Sequence, residues 1–208
     1  MEDGLTALQQ APQFQASPLC NTPPSANELH AVLKVAAKRL HKSPGKDGVT
    51  KWMICWGGPD VVSSLLHLYN RVWDEGSLPT QWNEAEISYL YKGGTKSKSE
   101  ITSYRPISLI PIIAKLFTRC WLPRLLSLTT DAIGKEQGCG RKGQGHLEHL
   151  WALMELIEDS CEGQDGQVQK DVYALFADVS KAYDQVWRSG LYSLLYVYGV
   201  RGKMWQII

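Results

Sequence analysis

The chain has 208 residues, of which 44% are hydrophobic and 21% are charged, and its net charge is only +1. This length permits one large domain or two lobes with a sizeable core, and the composition is ordinary for a globular protein. Five cysteines without a C-x-x-C pair suggest neither a zinc ribbon nor a disulfide framework and favour reduced thiols. The N-terminus lacks the apolar stretch of a signal peptide, and no apolar run approaches the length of a membrane span. We therefore expect an intracellular protein, cytoplasmic or nuclear, with no membrane partner.

Charge is distributed unevenly along the chain. From Lys92 to Lys142 there are ten Lys and Arg residues against three Asp and Glu, whereas from Gly143 to Asp178 there is one Lys against eight Asp and Glu. A basic segment followed by an acidic one suits a protein that holds a polyanion in one place and cations in another. Two solvated faces that neutralise each other would produce the same pattern, and charge alone does not separate these interpretations.

The N-terminal part of the chain is predicted to be helical after a disordered lead-in. Residues 1–24 are rich in Gln, Pro and Ser, which predicts disorder. Ser25 and Glu28 have the spacing of a capping box, which opens an amphipathic helix that ends before the turn at residues 43–45. A second amphipathic helix is predicted over residues 59–76, with proline in its first turn and glycine at its end.

The middle of the chain predicts a hairpin followed by helices. Residues 85–91 alternate imperfectly between apolar and polar types, and residues 105–109 form the returning strand, with a turn that starts at residues 92–94. The next helix is expected to end or kink at Pro123. Residues 143–161 predict another helix with an apolar stripe.

The segment from Asp171 to Trp187 is the one around which the chain is organised. Residues 172–177 are an uncharged run with β-branched and aromatic side chains, which predicts a strand buried on both faces. Asp178 follows where this strand should end. A carboxylate there costs free energy unless a positive group meets it, and a divalent cation is one such partner. Capping of the next helix, or pairing with Lys181, would also satisfy Asp178, and the pattern alone leaves these alternatives open.

Six stretches resemble, in colinear order, motifs of the reverse transcriptases of non-LTR (LINE-type) retrotransposons. ALFADVSKAYDQVW resembles their motif A, and ISYLYKGG and SYRPISLIPIIAKLF resemble their fingers motifs. Three further segments are similar to other blocks of the family, namely HKSPGKDGVT, LPTQWNEAEI and EQGCGRKGQGHLEHL. The resemblance implies an α+β right-hand polymerase fold, with a helix-rich fingers region over residues 25–165 and a partial palm over residues 166–208. It also implies an RNA-directed DNA polymerase, which is a nucleotidyltransferase.

The resemblance implies metal ligands at the end of motif A. Asp178 would be the catalytic carboxylate that binds Mg²⁺, and the backbone carbonyl of Val179 would be a second ligand. Phosphoryl transfer of this kind uses two metal ions that neutralise developing charge. One carboxylate does not complete such a site, so the two-ion site is expected to be incomplete in this chain.

The resemblance also implies residues for the incoming deoxynucleoside triphosphate. Lys92 and Arg105 would bind its triphosphate from the fingers, and the backbone N–H groups of Lys181 and Ala182 would meet phosphate oxygens. The ring of Tyr183 would lie beneath the sugar and collide with a 2′-OH. Without the resemblance, the three side chains would be interpreted as a hairpin-tip lysine, a structural ion pair and a core aromatic, respectively.

Departures from the family pattern reduce what this chain is expected to do alone. The family usually has G-F-R where residues 139–141 are C-G-R, and Gln144 stands where a basic residue is frequent. The [FY]-A-D-D motif that carries further metal carboxylates does not occur in the 208 residues, and motif B and the thumb are absent as well. We therefore expect a C-terminally truncated fragment, inactive alone, of a polymerase that acts on an RNA template and a DNA primer. A non-catalytic nucleic-acid-binding remnant of the same fold is the alternative.

The predicted palm strand over residues 172–177 also implies a partner. Without the neighbouring hairpin it would keep an unpaired edge, and such an edge is a template for pairing with another chain. Self-association through this strand is therefore expected.

Overall fold

The structure is a computed structural model that describes residues 17–134, 136–141, 143–161, 172–179 and 182–208. Two compact units make up this described part. The first unit comprises the described residues up to Thr129 together with Tyr192–Ile208, and the second comprises those of Thr130–Leu191.

Helices and one hairpin form the regular structure of the described residues. In chain order they are α1 (Ala26–Ala36), α2 (Lys51–Trp56), α3 (Gly58–Glu75), β1 (Glu86–Tyr91), β2 (Tyr104–Leu109), α4 (Ile112–Thr129), α5 (His146–Cys161), α6 (Arg188–Val197) and α7 (Gly202–Ile207). Short 3₁₀ turns occur at Pro18–Asn21, Ala37–Arg39, Thr80–Asn83 and Ile101–Ser103. This mixture of helix and strand fits the predicted α+β class. No helix of the described part is long and apolar enough to cross a membrane.

The ends of α1 and α3 follow from local chemistry. The Ser25 hydroxyl accepts from the Glu28 N–H at 3.3 Å, and the Ser25 N–H donates to the Glu28 carboxylate at 2.8 Å, which confirms the capping box. α3 carries Pro59 in its first turn and ends at Gly76, whose φ of 66° lies in the left-handed region. The Gly76 N–H donates to the Val72 carbonyl at 3.1 Å. Both helices are confirmed because these residues satisfy backbone groups that the helix itself leaves unpaired.

The core of the first unit is built on aromatic side chains. The Phe117 ring is fully buried, and its centroid lies 5.2 Å from that of Tyr69 and 5.4 Å from that of Trp82. Trp121, one turn further along α4, packs edge-on at 6.3 Å. The Tyr69 hydroxyl donates to the Ile113 carbonyl at 2.9 Å, and burial raises the pKa of Tyr69 well above its usual range. The ring cluster therefore joins α3, α4 and the Thr80–Asn83 turn without an unpaired phenol.

Pro123 lies inside α4 and does not end it. The helix continues to Thr129, so of the two predicted effects of this proline, termination is wrong. Proline has no N–H, so the carbonyl of Arg119 loses its usual helical donor, at a cost of about 3 kcal/mol. Leu125 and Leu128 pack against the core beyond the proline, and their burial offsets this cost.

Residues 17–24 are folded rather than disordered. They include a 3₁₀ turn, and the Cys20 side chain is fully buried. Arg124 of α4 donates hydrogen bonds to three carbonyls of the segment, those of Leu19, Thr22 and Pro23. The predicted disorder of residues 1–24 is therefore wrong for residues 17–24, because a distant helix supplies donors for their backbone. Residues 1–16 lie outside the described residues.

Arg124 also forms a sheltered salt bridge with Glu28. The two side chains meet at 2.6 Å and are 10% and 26% exposed, respectively. Burial raises the pKa of Glu28, but hydrogen bonds from Arg124 and Ser25 lower it more, so the pKa lies below its ordinary value. Because the folded-state pKa is below the unfolded-state value of about 4.3, the carboxylate stabilises the fold above that pH. This contribution is lost as the pH falls through the folded-state pKa.

Arg124→Met is expected to lower the free energy of unfolding by about 2–4 kcal/mol at pH 7, because it removes the cation that pairs with the Glu28 carboxylate and the donor that three carbonyls share. Urea denaturation followed by tryptophan fluorescence measures the loss. The loss should shrink as the pH falls through the folded-state pKa of Glu28. Arg71→Met is the matched control, since the Arg71 guanidinium pairs with Glu75 on the exposed surface of α3, where solvent screens the interaction, and its loss should change the free energy of unfolding little. Equal losses in the two variants would contradict the argument.

The second unit contains α5, whose apolar stripe is exposed. The helix itself was predicted and is confirmed. Large apolar side chains project from it, and Trp151 is 70% exposed. The first unit, by contrast, buries the apolar stripes of α1 and α3.

Residues 172–177 do not form the predicted buried strand. Residues 172–179 have no regular secondary structure, and Leu175 and Phe176 are 94% and 81% exposed. A strand needs a neighbour to pair its backbone N–H and C=O groups. The sheet of the described residues consists of β1 and β2, and neither pairs with this segment. The prediction is therefore wrong for this structure, and so is the palm strand with an unpaired edge.

Candidate functional site

Lys92 and Arg105 lie on one antiparallel hairpin. β1 and β2 pair with Leu90 opposite Arg105, and the Lys92 N–H donates to the Ser103 carbonyl at 2.9 Å, which continues the register by two residues. Opposite residues of an antiparallel pair share a face, and so do residues two apart along a strand. Lys92 and Arg105 are therefore diagonal neighbours on the same face, at the end of the hairpin that bears the turn.

The two cations are held differently. The Lys92 ammonium donates to the Thr102 carbonyl at 2.6 Å, which uses one of its three donors and holds the side chain over the turn. The Arg105 side chain is exposed, and it makes no salt bridge with any residue that the structure describes. A structural ion pair, the alternative role for Arg105, is thus not observed in the described part of the chain. The guanidinium fork is available to a ligand.

Two tyrosines order the turn between these cations. The rings of Tyr91 and Tyr104 pack against each other at a tilt of 57°, with centroids 5.5 Å apart, where the two strands meet the turn. The Tyr91 hydroxyl donates to the Lys96 carbonyl, and the Tyr104 hydroxyl donates to the Lys98 carbonyl at 2.9 Å. The turn backbone is therefore tied to the same hairpin that carries Lys92 and Arg105.

Asp178, Val179, Ala182 and Tyr183 lie on exposed chain in the second unit. Asp178 makes no salt bridge with the residues described, and Lys181, its alternative partner, lies outside them, so that pairing stays a prediction. Tyr183 is 94% exposed, so the alternative of a core aromatic is wrong. Lys92 and Arg105 thus lie together in the first unit, whereas the described motif A residues lie in the second.

Arg141 of the C-G-R stretch has a structural role within the second unit. Its guanidinium donates to the carbonyls of Ile133 and Gly134, the latter at 2.9 Å. These bonds close the loop between α4 and α5. The Arg141 guanidinium therefore stabilises the backbone of its own unit.

A cavity of about 360 Å³ in the first unit is lined by four basic side chains that the sequence did not single out. These are Lys42, Lys51, Lys115 and Arg119, and we call their site the basic cavity. One feature of the sequence could have indicated this cavity. Lys115 and Arg119 are four residues apart in the basic segment, so they share a face of the predicted helix. Lys42 and Lys51, on the opposite wall, flank a loop. Nothing in the local sequence predicts that this loop folds against α4.

The chain is similar to polymerases of mobile elements. It is 32% identical over 187 residues to the RNA-directed DNA polymerase from mobile element jockey of Drosophila melanogaster, a match that covers 88% of this chain and 20% of the relative. It is 30% identical to the "Probable RNA-directed DNA polymerase from transposon X-element" of the same species, over 73% of this chain and 16% of the relative. A third relative, from transposon BS, is 30% identical over 74% of this chain and 17% of its own length. No family model matches the chain.

These similarities define the class of protein as the RNA-directed DNA polymerases. More narrowly, the chain is homologous over most of its length to the reverse transcriptases of LINE-type non-LTR retrotransposons. It spans no more than 20% of the length of the curated relatives that it matches. The resemblance of the six sequence stretches to this family is thereby confirmed.

Proposed function

We propose that this chain is the part of a non-LTR retrotransposon reverse transcriptase that binds the incoming deoxynucleoside triphosphate and supplies one metal-binding carboxylate. The observation that carries the proposal is the position of Lys92 and Arg105 on one face of a hairpin, in a chain homologous to RNA-directed DNA polymerases. In the reaction, the 3′-oxygen of a DNA primer forms a bond to the α-phosphorus, and the bond to pyrophosphate breaks. An RNA template selects the nucleotide.

The hairpin cations suit the triphosphate in different ways. The guanidinium of Arg105 is planar and can donate two parallel hydrogen bonds to phosphate oxygens. The ammonium of Lys92 is a compact charge with two donors left after its bond to Thr102. Together they would hold the triphosphate in line for displacement, which is most of what a protein contributes to phosphoryl transfer.

The family resemblance implies Mg²⁺. The residues of motif A supply ligands of the type that Mg²⁺ binds, but too few for a complete site. Asp178 offers an exposed carboxylate and Val179 a backbone carbonyl, and both are hard oxygen ligands of the type that Mg²⁺ binds. A two-ion site needs further carboxylates. Within the described ranges, no group of three His, Cys, Asp or Glu side chains could hold a metal ion. Asp178 and Val179 would thus form one part of the site, and other residues of the polymerase would complete it.

The residues after Asp178 would contact the nucleotide. We assign the exposed ring of Tyr183 to the sugar, where it would collide with a 2′-OH and select deoxynucleotides. The N–H groups of Ala182 and Lys181 would donate to phosphate oxygens, as the family resemblance implies. These assignments place fingers contacts in the first unit and palm contacts in the second.

A non-catalytic nucleic-acid-binding role is the second candidate function. The observation that favours it is the surplus of basic residues from Lys92 to Lys142, ten against three acidic ones. Such a surplus supports binding to RNA or DNA phosphates without any chemistry. Nucleotide binding by the hairpin separates the two candidates, because a remnant without a polymerase role has no use for it.

Arg105→Gln is expected to weaken binding of a fluorescent deoxynucleoside triphosphate with Mg²⁺ by at least about tenfold, because charge-assisted hydrogen bonds contribute roughly 1.5–3 kcal/mol. Titration of the purified chain, followed by fluorescence anisotropy, measures the affinity. Arg105→Lys keeps the charge but loses the planar fork, so its affinity for the nucleotide should lie between those of wild type and Arg105→Gln. Arg71→Gln on α3 serves as the control of equal charge change. If Arg105→Gln and Arg71→Gln bind alike, the assignment of Arg105 is wrong.

The 208-residue polypeptide is expected to show no primer extension, because its sequence contains no [FY]-A-D-D motif to supply the other metal carboxylates. The assay uses an RNA template, a DNA primer, and Mg²⁺ or Mn²⁺. Asp178→Asn is the control that identifies contaminating polymerase. Extension by the purified chain that Asp178→Asn abolishes would show that this polypeptide holds a complete site.

Self-association is expected through the exposed apolar side chains of residues 172–177. Leu175 and Phe176 are almost fully exposed, and exposed apolar clusters favour contacts between chains. Leu175→Lys should lower the weight-average mass in sedimentation experiments. Ser99→Lys adds the same charge to an exposed loop of the first unit and should leave the mass unchanged. A wild-type chain that sediments as a monomer would refute this expectation.

A further inference from the structure

The chain that follows the motif A segment is anchored in the first unit. Residues Tyr192–Ile208 belong to that unit, and Val200 and Met204, in the turn after α6 and on α7, are fully buried. α7 has only six residues, and a helix this short does not persist without contacts to the rest of a protein. Its folding therefore depends on the surface against which it packs.

α7 packs against the N-terminal residues 17–24, which we call the strap. The 3₁₀ turn of the strap, Pro18–Asn21, contacts α7 directly. The Cys20 side chain is fully buried, and its thiol donates to the Gly199 carbonyl with 3.6 Å between sulfur and oxygen. These two residues are 179 positions apart in the chain, so the contact forms only when the strap and the turn before α7 meet.

The strap also caps α7. Arg201 occupies the N-cap position of this helix, but its side chain makes no capping hydrogen bond. The Asn21 side-chain oxygen instead accepts from the Lys203 N–H at 3.1 Å. Asn21 thus satisfies one of the backbone donors that the first turn of a helix leaves unpaired. A second contact comes from the Lys203 ammonium, which donates to the Asp74 carbonyl near the end of α3 at 2.8 Å.

Gly202 permits the close approach of Asn21. Its φ of 65° lies in the left-handed region, where residues with a side chain are strained. A Cβ at this position would also overlap the Asn21 side chain. Asn21 would then have to turn aside and lose its hydrogen bond to Lys203. The glycine therefore serves both the backbone conformation and the cap.

The strap is held by α4 as well as by α7. The Arg124 guanidinium donates to three strap carbonyls, and it is itself fixed by the Glu28 carboxylate of α1. Arg124 binds the backbone of the strap, whereas α7 receives the Asn21 side chain and packs over Cys20. One short segment thus connects a charged group on α4 to the start of α7.

We propose that the strap is a conformational switch that couples α4 to α7, with Asn21 as the contact that closes it. When the strap leaves, the Lys203 N–H loses its acceptor, Cys20 becomes accessible, and α7 loses the surface on which it folds. Contiguous segments that open together, below the free energy of global unfolding, are a general property of proteins. A role for this opening in polymerisation rests on the proposed function, because α6 and α7 follow motif A in the chain.

Alkylation of Cys20 by iodoacetamide measures the opening of the strap, and peptide mass spectrometry reports each cysteine separately. Asn21→Ala should raise the rate of Cys20 alkylation about fivefold, the factor expected from the loss of one hydrogen bond. Amide exchange of residues 203–207 should rise by a similar factor. Asn21→Asp keeps an acceptor and should restore rates near those of wild type. Asn83→Ala removes an exposed asparagine from another 3₁₀ turn and is the matched control.

Cys120 separates local opening from global unfolding. Its side chain is 1% exposed and lies on α4. Opening of the strap should leave the rate of Cys120 alkylation unchanged, whereas a loss of global stability raises the rates of both buried cysteines alike. Equal increases at Cys20 and Cys120 in Asn21→Ala would overturn the proposal.

Gly202→Ala tests the steric part of the argument. It should raise Cys20 alkylation in the wild-type background, and by a smaller factor when Asn21 is already alanine. Gly48→Ala is the control for backbone strain, because Gly48 also has a positive φ but faces open space. If Gly202→Ala has the same effect in both backgrounds, Asn21 does not act through Gly202 and the proposed closing contact is wrong.

The coupling is tested from the α4 side of the strap. Arg124→Met leaves the contacts of Asn21 with α7 in place, yet it should speed both Cys20 alkylation and the amide exchange of residues 203–207. Arg71→Met is again the control on the exposed surface. Because both changes release one strap, Arg124→Met and Asn21→Ala together should raise the exchange rate by less than the product of their separate factors. Factors that multiply, or α7 amides that do not respond to Arg124→Met, would overturn the proposal.

Discussion

The packing of Phe117 against Tyr69 and Trp82 is the contact on which the first unit depends. It joins α4 to α3 and to the turn before the hairpin, and it buries the rings of Tyr69 and Phe117 fully and that of Trp82 in part. With its apolar side held in this way, α4 presents charged side chains at fixed positions: Arg124 binds the N-terminal segment, and Lys115 and Arg119 line the basic cavity. Burial thus determines where the charges lie, although it does not provide their ligands.

Structure that depends on neighbouring residues was predictable from the sequence. The capping box at Ser25 and the ends of α3 need only a few residues to satisfy backbone groups, and these signals were sufficient. The hairpin followed from its alternation and turn residues. For the candidate site, motif resemblance proposed Lys92 and Arg105, and the strand register then placed both on one face.

Structure that depends on distant residues was not predictable in this way. Arg124 orders residues 17–24 across a separation of about one hundred positions, and composition alone indicated disorder there. Residues 172–177 have the composition of a buried strand, yet a strand requires a paired neighbour, and none is present among the described residues. The basic cavity was also missed, because its two walls come from segments some sixty residues apart.

The close packing of Gly45 against the start of α4 has a consequence for how this sequence can change. Any other residue would place a side-chain carbon against the backbone at Pro111, so the loop would have to move away from the helix. Every lysine and arginine would still be present, but those on the loop would no longer face those on α4. A substitution that alters neither net charge nor any recognised motif could therefore abolish a charged site, and an inventory of basic residues would not register the loss.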